Sequence, residues 1–126
     1  MTTADTTFLT LDASAYLGLA HAPATVRAQL NIALTRHTFL PEAADLLRDW
    51  VATVATPVFK LIRLREGTKR AFCSIGTGAG LDAIAAIETL GATRIGITDV
   101  HANVVEAAAR NITSNVLPTH EVELEA

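Results

Sequence analysis

The sequence predicts an α/β chain: a partial parallel sheet of two to three strands preceded by an α-helical N-terminal segment. Three observations predict it. A short apolar run, Ala71-Phe72-Cys73-Ser74-Ile75, leads straight into glycines at alternate positions, Gly76, Gly78 and Gly80. A helix-compatible segment follows, then a second apolar run that ends in Asp99. Before Gly67, by contrast, the apolar residues recur at helical spacing. Strand, glycine turn, helix, strand and acid in that order is the layout of a nucleotide-binding βαβ half.

The elements follow in order. The first twelve residues are rich in threonine and are expected to be loosely held, with Phe8, Leu9 and Leu11 available for docking. Pro23 to His37 carries Val26, Leu30, Ala33 and Leu34 at helical spacing. Pro41 is suited to opening a helix, because its fixed φ and missing N–H fit a first turn. In that helix Leu46, Leu47, Trp50, Val51 and Val54 form one stripe. Pro57 is expected to break it and to start a short helix with Val58, Leu61 and Ile62 inward. Beyond Gly67, Ala71 to Ile75 reads as a strand that is apolar on both faces. Gly80 to Leu90 reads as a helix with Leu81, Ile84, Ala85 and Leu90 inward, ended by Gly91. Arg94 to Thr98 reads as the next strand, and His101 to Thr113 as a helix burying Val104, Val105, Ala108 and Ile112. Val122-Glu123-Leu124 alternates and starts a third strand. The organisation expected is a helical segment over 1–66 and a truncated Rossmann-like half-domain over 67–126.

Size and composition bound the function. A chain of 126 residues with half of them apolar supports one packed core and argues against disorder. The net charge of −3 carries no general nucleic-acid or membrane signal. One local exception is the cluster Lys60, Arg63, Arg65, Lys69 and Arg70, either a solvated helix end or a contact for an acidic or nucleic-acid ligand. The single cysteine, Cys73, cannot form an intrachain disulfide and reads as a buried structural thiol, which fits a reducing cytosol. The start lacks a basic, apolar leader pattern, and no apolar run reaches the roughly 20 residues of a membrane helix. A cytoplasmic protein is expected. His21, His37, His101 and His120 show no metal-ligand spacing, and no catalytic residue is assigned.

The glycine turn has a physical purpose. Without a β-carbon the backbone takes tight, positive-φ conformations and lets a ligand approach the main chain. The N–H groups at the start of the following helix are unpaired and partially positive, suited to a carboxylate or a phosphate. Asp99, at the carboxyl end of the next strand, is placed to accept two hydrogen bonds from a ribose diol. Alone, the turn has an architectural reading and Asp99 a helix-capping one; together they favour a ligand site. Asp82 reads as a first-turn acid complementing the helix dipole.

Gly76-Thr77-Gly78-Ala79-Gly80-Leu81-Asp82-Ala83-Ile84-Ala85-Ala86, then Leu90-Gly91-Ala92, Asp99 and Glu106-Ala107-Ala108-Ala109-Arg110-Asn111, resembles a class I S-adenosylmethionine-dependent methyltransferase of the ribosomal-protein L11 and release-factor type. The resemblance covers residues 70 to 113. It implies that Gly76, Gly78 and Gly80, with Thr77, line the methionine portion of S-adenosylmethionine. It implies that Asp99 holds the ribose hydroxyls and that Val100 packs beside the adenine. In that family the position two before the first glycine is commonly acidic; here it is Ser74, which would lie under the cofactor's amino group. Phe39-Leu40-Pro41-Glu42 is loosely similar to a segment upstream of the motif in related enzymes.

The resemblance also implies what is missing. The acceptor-aligning motif of such enzymes follows a fourth strand, and Asn115-Val116-Leu117-Pro118 does not match it. The strand 71–75 would then lack its far-side partner and expose an unpaired edge. Self-association, a missing C-terminal half, or the N-terminal helices are expected to cover that edge. The methyl acceptor stays open among protein, nucleic acid and small molecule. Two other functions remain: a non-catalytic methyltransferase-like binding or assembly module, and a NAD(P)-binding half using the shifted frame Gly78-x-Gly80-x-x-Ala83.

Overall fold

The computed structural model describes residues 6–35 and 49–126. Strands β1 (Thr6–Asp12) and β2 (Gln29–Thr35) pair antiparallel, Thr6 opposite Thr35 and Asp12 opposite Gln29. Between them Asp12 accepts from the Ala15 N–H and caps a single helical turn, α1 (Ala13–Tyr16). A π-helical turn, Val51–Ala55, runs directly into α2 (Thr56–Glu66). Then come β3 (Ala71–Ile75), α3 (Leu81–Thr89), β4 (Arg94–Thr98), α4 (Ala102–Asn115) and β5 (Glu123–Glu125). The three later strands form a parallel sheet in the order β3-β4-β5.

The α/β class and the three parallel strands match the sequence reading, but the N-terminal segment is a β-hairpin and not helical. Leu30, Ile32 and Leu34 are buried while Gln29 and Asn31 are exposed, an alternation of period two. Ala33 lengthened the apolar run enough to imitate a helical stripe, yet it is only half-buried. Across the hairpin Leu11 is buried and Leu9 partly so, with Phe8 and Thr10 exposed. The expectations for Pro41, Leu46, Leu47, His37 and the segment 39–42 lie outside the described residues.

Pro57 does not end the helix. The preceding turn widens, with the Thr56 N–H reaching the Val51 carbonyl, which accommodates a ring that has no N–H to donate. The inward stripe is Val51, Ala55, Phe59 and Ile62; Trp50, Val54, Val58 and Leu61, several of them expected inside, are exposed. Phe59 decides the rotation, because its ring packs edge-on against Phe72 of β3 at 5.5 Å and 79°.

One core joins both sheets, with Leu11, Leu30 and Ile32 from the hairpin meeting Ile84, Ile87 and Ile112 from α3 and α4. Each such side chain contributes about 1.5–3 kcal/mol on burial. The helices cover one face of the parallel sheet, where Ser74, Ile95 and Ile97 are buried. On the other face Ala71, Cys73, Ile75, Arg94 and Thr98 are exposed. Parallel sheets are ordinarily covered on both faces. Ala71 to Ile75 is therefore not buried on both sides, and Cys73 is an exposed thiol and not a buried one, because among the described residues only one helical layer packs on this sheet. Among the described residues β3 pairs only with β4, so its outer edge is open.

Candidate functional site at the glycine turn and Asp99

β3 ends at Ile75, and Gly76 opens the turn. Gly76, Gly78 and Gly80 have φ of 66°, 56° and 83°, the left-handed region that favours glycine. Their surroundings differ. A β-carbon on Gly80 would lie 3.3 Å from the Ala108 carbonyl and the Ile112 side chain, whereas one on Gly76 would meet nothing within 4 Å. Gly80 therefore permits the close packing of α3 against α4, and Gly76 faces open space.

The turn is tied down from three directions. The Thr77 N–H donates to the Thr98 carbonyl at 2.8 Å, extending the β3–β4 ladder into the turn. The Gly80 N–H donates to the Thr77 carbonyl at 2.9 Å. The amide of Asn111, buried on α4, donates to the Ala79 carbonyl at 2.9 Å and also pairs with both main-chain groups of Ala33 on β2. One side chain thus joins hairpin, helix and turn. Nothing in the sequence named this role, although a polar residue beside Ala107, Ala108 and Ile112 on a buried helix face is the available signal.

Asp99 follows β4 and reaches across to the turn. One carboxylate oxygen accepts from the Gly78 N–H at 3.1 Å, and the other accepts from the Val100 N–H at 2.8 Å. Val100, 90% exposed, and Ile75, 85% exposed, present apolar surface at this end of the sheet. The Thr77 hydroxyl is buried with no hydrogen-bond partner. The sequence-predicted residues Gly76, Thr77, Gly78, Gly80, Asp99 and Val100 therefore meet at the carboxyl ends of β3 and β4.

Ser74 points elsewhere. It is buried, and its hydroxyl donates to both carboxylate oxygens of Asp82 at 2.9 Å. Burial raises the Asp82 carboxyl above its usual range, opposed by the hydrogen bonds from Ser74 and from the Ala83 N–H. Asp82 is thus the part-buried acceptor for Ser74 as well as a first-turn acid. Beside it the Tyr16 hydroxyl donates to the Leu81 carbonyl at 2.6 Å. Burial first, and the Asp82 charge second, push the Tyr16 phenol well above its ordinary value.

The family model of ribosomal protein L11 methyltransferase (PrmA) matches residues 52–126, more than half of the chain. The chain belongs to the ribosomal protein L11 methyltransferase family. This is a class I S-adenosylmethionine-dependent methyltransferase family. The match takes in the glycine turn, Asp99 and all three parallel strands, and it leaves out the hairpin. Neither the curated proteins nor the solved structures give a match. Among the described residues no helix is long and apolar enough to cross a membrane.

Proposed function

We propose that this chain is the S-adenosylmethionine-binding portion of a class I methyltransferase acting on an acceptor still to be identified. The observation that carries the reading is the hydrogen bond between the Gly78 N–H and the Asp99 carboxylate, which brings loop and acid to one place. A carboxylate has about four acceptor positions, and two are used by Gly78 and Val100, so two remain for a ribose diol. The partnerless Thr77 hydroxyl and the open space over Gly76 fit the methionine portion, and exposed Val100 fits the adenine edge.

Bound S-adenosylmethionine would supply the sulfonium methyl group. The chain's residues bind and orient: the glycine turn through its main chain and Asp99 through its free acceptor positions, while the Ser74–Asp82 pair supports the turn from within the protein. Orientation and exclusion of water are most of what such a transfer requires of a protein. The turn begins at Gly76, outside the strand, which favours the G-x-G-x-G frame over the NAD(P) frame starting at Gly78.

The reading extends to the open edge of β3 and the bare sheet face. Further polypeptide, either a C-terminal half or a second copy of the chain, covers them in the working protein and contributes the acceptor site. Calorimetric titration with S-adenosylhomocysteine, and with NAD alongside, tests the central reading. Binding of the first, weakened at least tenfold by Asp99→Ala, is expected. Binding of NAD alone refutes it.

A further inference from the structure

A cavity lies at the opposite end of α3 from the glycine turn. It measures about 620 Å³, and its walls include Leu19, His21, Lys60, Arg63, Leu64 and Glu88. Clefts of roughly 300–1,000 Å³ are the usual size for small-molecule sites. Glu88 is near the end of a helix that starts at Leu81, so at 1.5 Å per residue the cavity lies about 10 Å from the turn along the axis.

The charges in this cavity are not balanced within the protein. Lys60 and Arg63 stand one helical turn apart on α2. Lys60 donates to the Gly18 carbonyl at 2.9 Å, and Arg63 makes only a long 3.5 Å contact with the Glu88 main-chain carbonyl. Among the described residues neither is ion-paired with a carboxylate, whereas Lys69 nearby is paired with Glu66. The acid in the wall does not serve them. Both oxygens of the Glu88 carboxylate are turned to the 24–25 loop, where they accept from the Ala24 and Thr25 N–H groups and from the Thr25 hydroxyl. These three donors take up most of the roughly four acceptor positions a carboxylate has. An ammonium with two spare donors and a guanidinium with four therefore face a cavity whose wall also carries apolar Leu19 and Leu64, beside His21, Thr25 and Thr89.

We infer that this cavity binds a small amphiphilic anion. Its oxyanion head, a phosphate or a carboxylate, is held by Lys60 and Arg63, and its apolar body lies against Leu19 and Leu64. The site is separate from the glycine turn, and the inference stands whether or not that turn takes an adenosyl ligand.

The test is a titration of the full chain with octyl phosphate, followed by NMR, with octanoate, inorganic phosphate and octanol as comparison probes. Shifts centred on Leu19, Lys60, Arg63 and Leu64 are expected with octyl phosphate or octanoate, with dissociation constants below about 1 mM. Phosphate should bind at least tenfold more weakly, and octanol not at all. Lys60→Ala with Arg63→Ala, both on an exposed helix surface, should leave the fold intact by circular dichroism and weaken the anion at least tenfold. Binding of octanol as tight as octyl phosphate, unchanged affinity in the double variant, or no shift at those residues with either amphiphile up to about 10 mM overturns the inference. Response to octyl phosphate but not octanoate, or the reverse, identifies the head group and supports it.

Discussion

Asn111→Ala removes the side chain that holds the glycine turn to the rest of the molecule. Three hydrogen bonds disappear, to the Ala33 N–H, the Ala33 carbonyl and the Ala79 carbonyl, all at 2.9 Å. Ala33 is only half-buried, so water replaces its partners at a cost of about 0.5–1.5 kcal/mol each. The Ala79 carbonyl is buried and has no such replacement, and leaving it unsatisfied costs about 1–3 kcal/mol. The loss is then about 2–6 kcal/mol, a large share of the roughly 5–15 kcal/mol that holds a typical domain together. For a chain of this length it lowers Tm by about 8–24 °C, read by circular dichroism or calorimetry. Asn115→Ala is the control. Asn115 pairs with both main-chain groups of Asn31 but makes no bond to the turn. It should lower Tm while leaving the amide resonances of Gly76, Gly78 and Gly80 in place, whereas Asn111→Ala moves them. A Tm change under about 2 °C for Asn111→Ala, or identical spectra at the turn for both variants, would refute the reasoning.

Other outcomes follow from the same geometry. Gly80→Ala places a β-carbon 3.3 Å from Ala108 and Ile112 at a φ of 83° and should cost about 1–3 kcal/mol, while Gly76→Ala, with open space around it, should cost less stability and more ligand affinity, as denaturant melts and titrations will read. Asp82 is held above the ordinary aspartate value, so its contribution to stability is fully present below about pH 4 and is lost as pH rises through the folded value. Asp82→Asn should flatten that decline in urea midpoints measured across this range. Cys73 should react with a thiol reagent in the native state as fast as a free thiol, and become protected when the bare sheet face is covered.

The parts of the fold that local chemistry dictates were legible. Ala71–Ile75 and Arg94–Thr98 were bounded correctly because glycine and aspartate punctuate them. Gly91, at a φ of 83°, ends α3 as its position suggested. The hairpin was not legible, because Val26, Leu30, Ala33 and Leu34 satisfy a helical period as well as a strand does, and only packing against α4 separates the two. The stripe of α2 was likewise ambiguous: both Val51-Ala55-Phe59-Ile62 and Trp50-Val54-Val58-Leu61 are apolar rows, and contact with Phe72 chooses the first. The exposure of Cys73 depends on how many layers pack on the sheet, which a strand's own sequence does not encode. At the site, the glycines and Asp99 were visible as motif residues, while Asn111 and Tyr16 act through partners distant in sequence, and the pairing of Asp82 with Ser74 needs the turn to fold back on its strand.

The most direct measurement is an amide NMR titration of the chain with S-adenosylhomocysteine. The glycine turn and Asp99 should respond together: resonances of Gly76, Gly78 and Val100 shift in one saturable step, and Asp99→Ala removes the step while the fold is kept. Saturable binding that moves the turn without Val100, or that survives Asp99→Ala unchanged, would contradict a shared site.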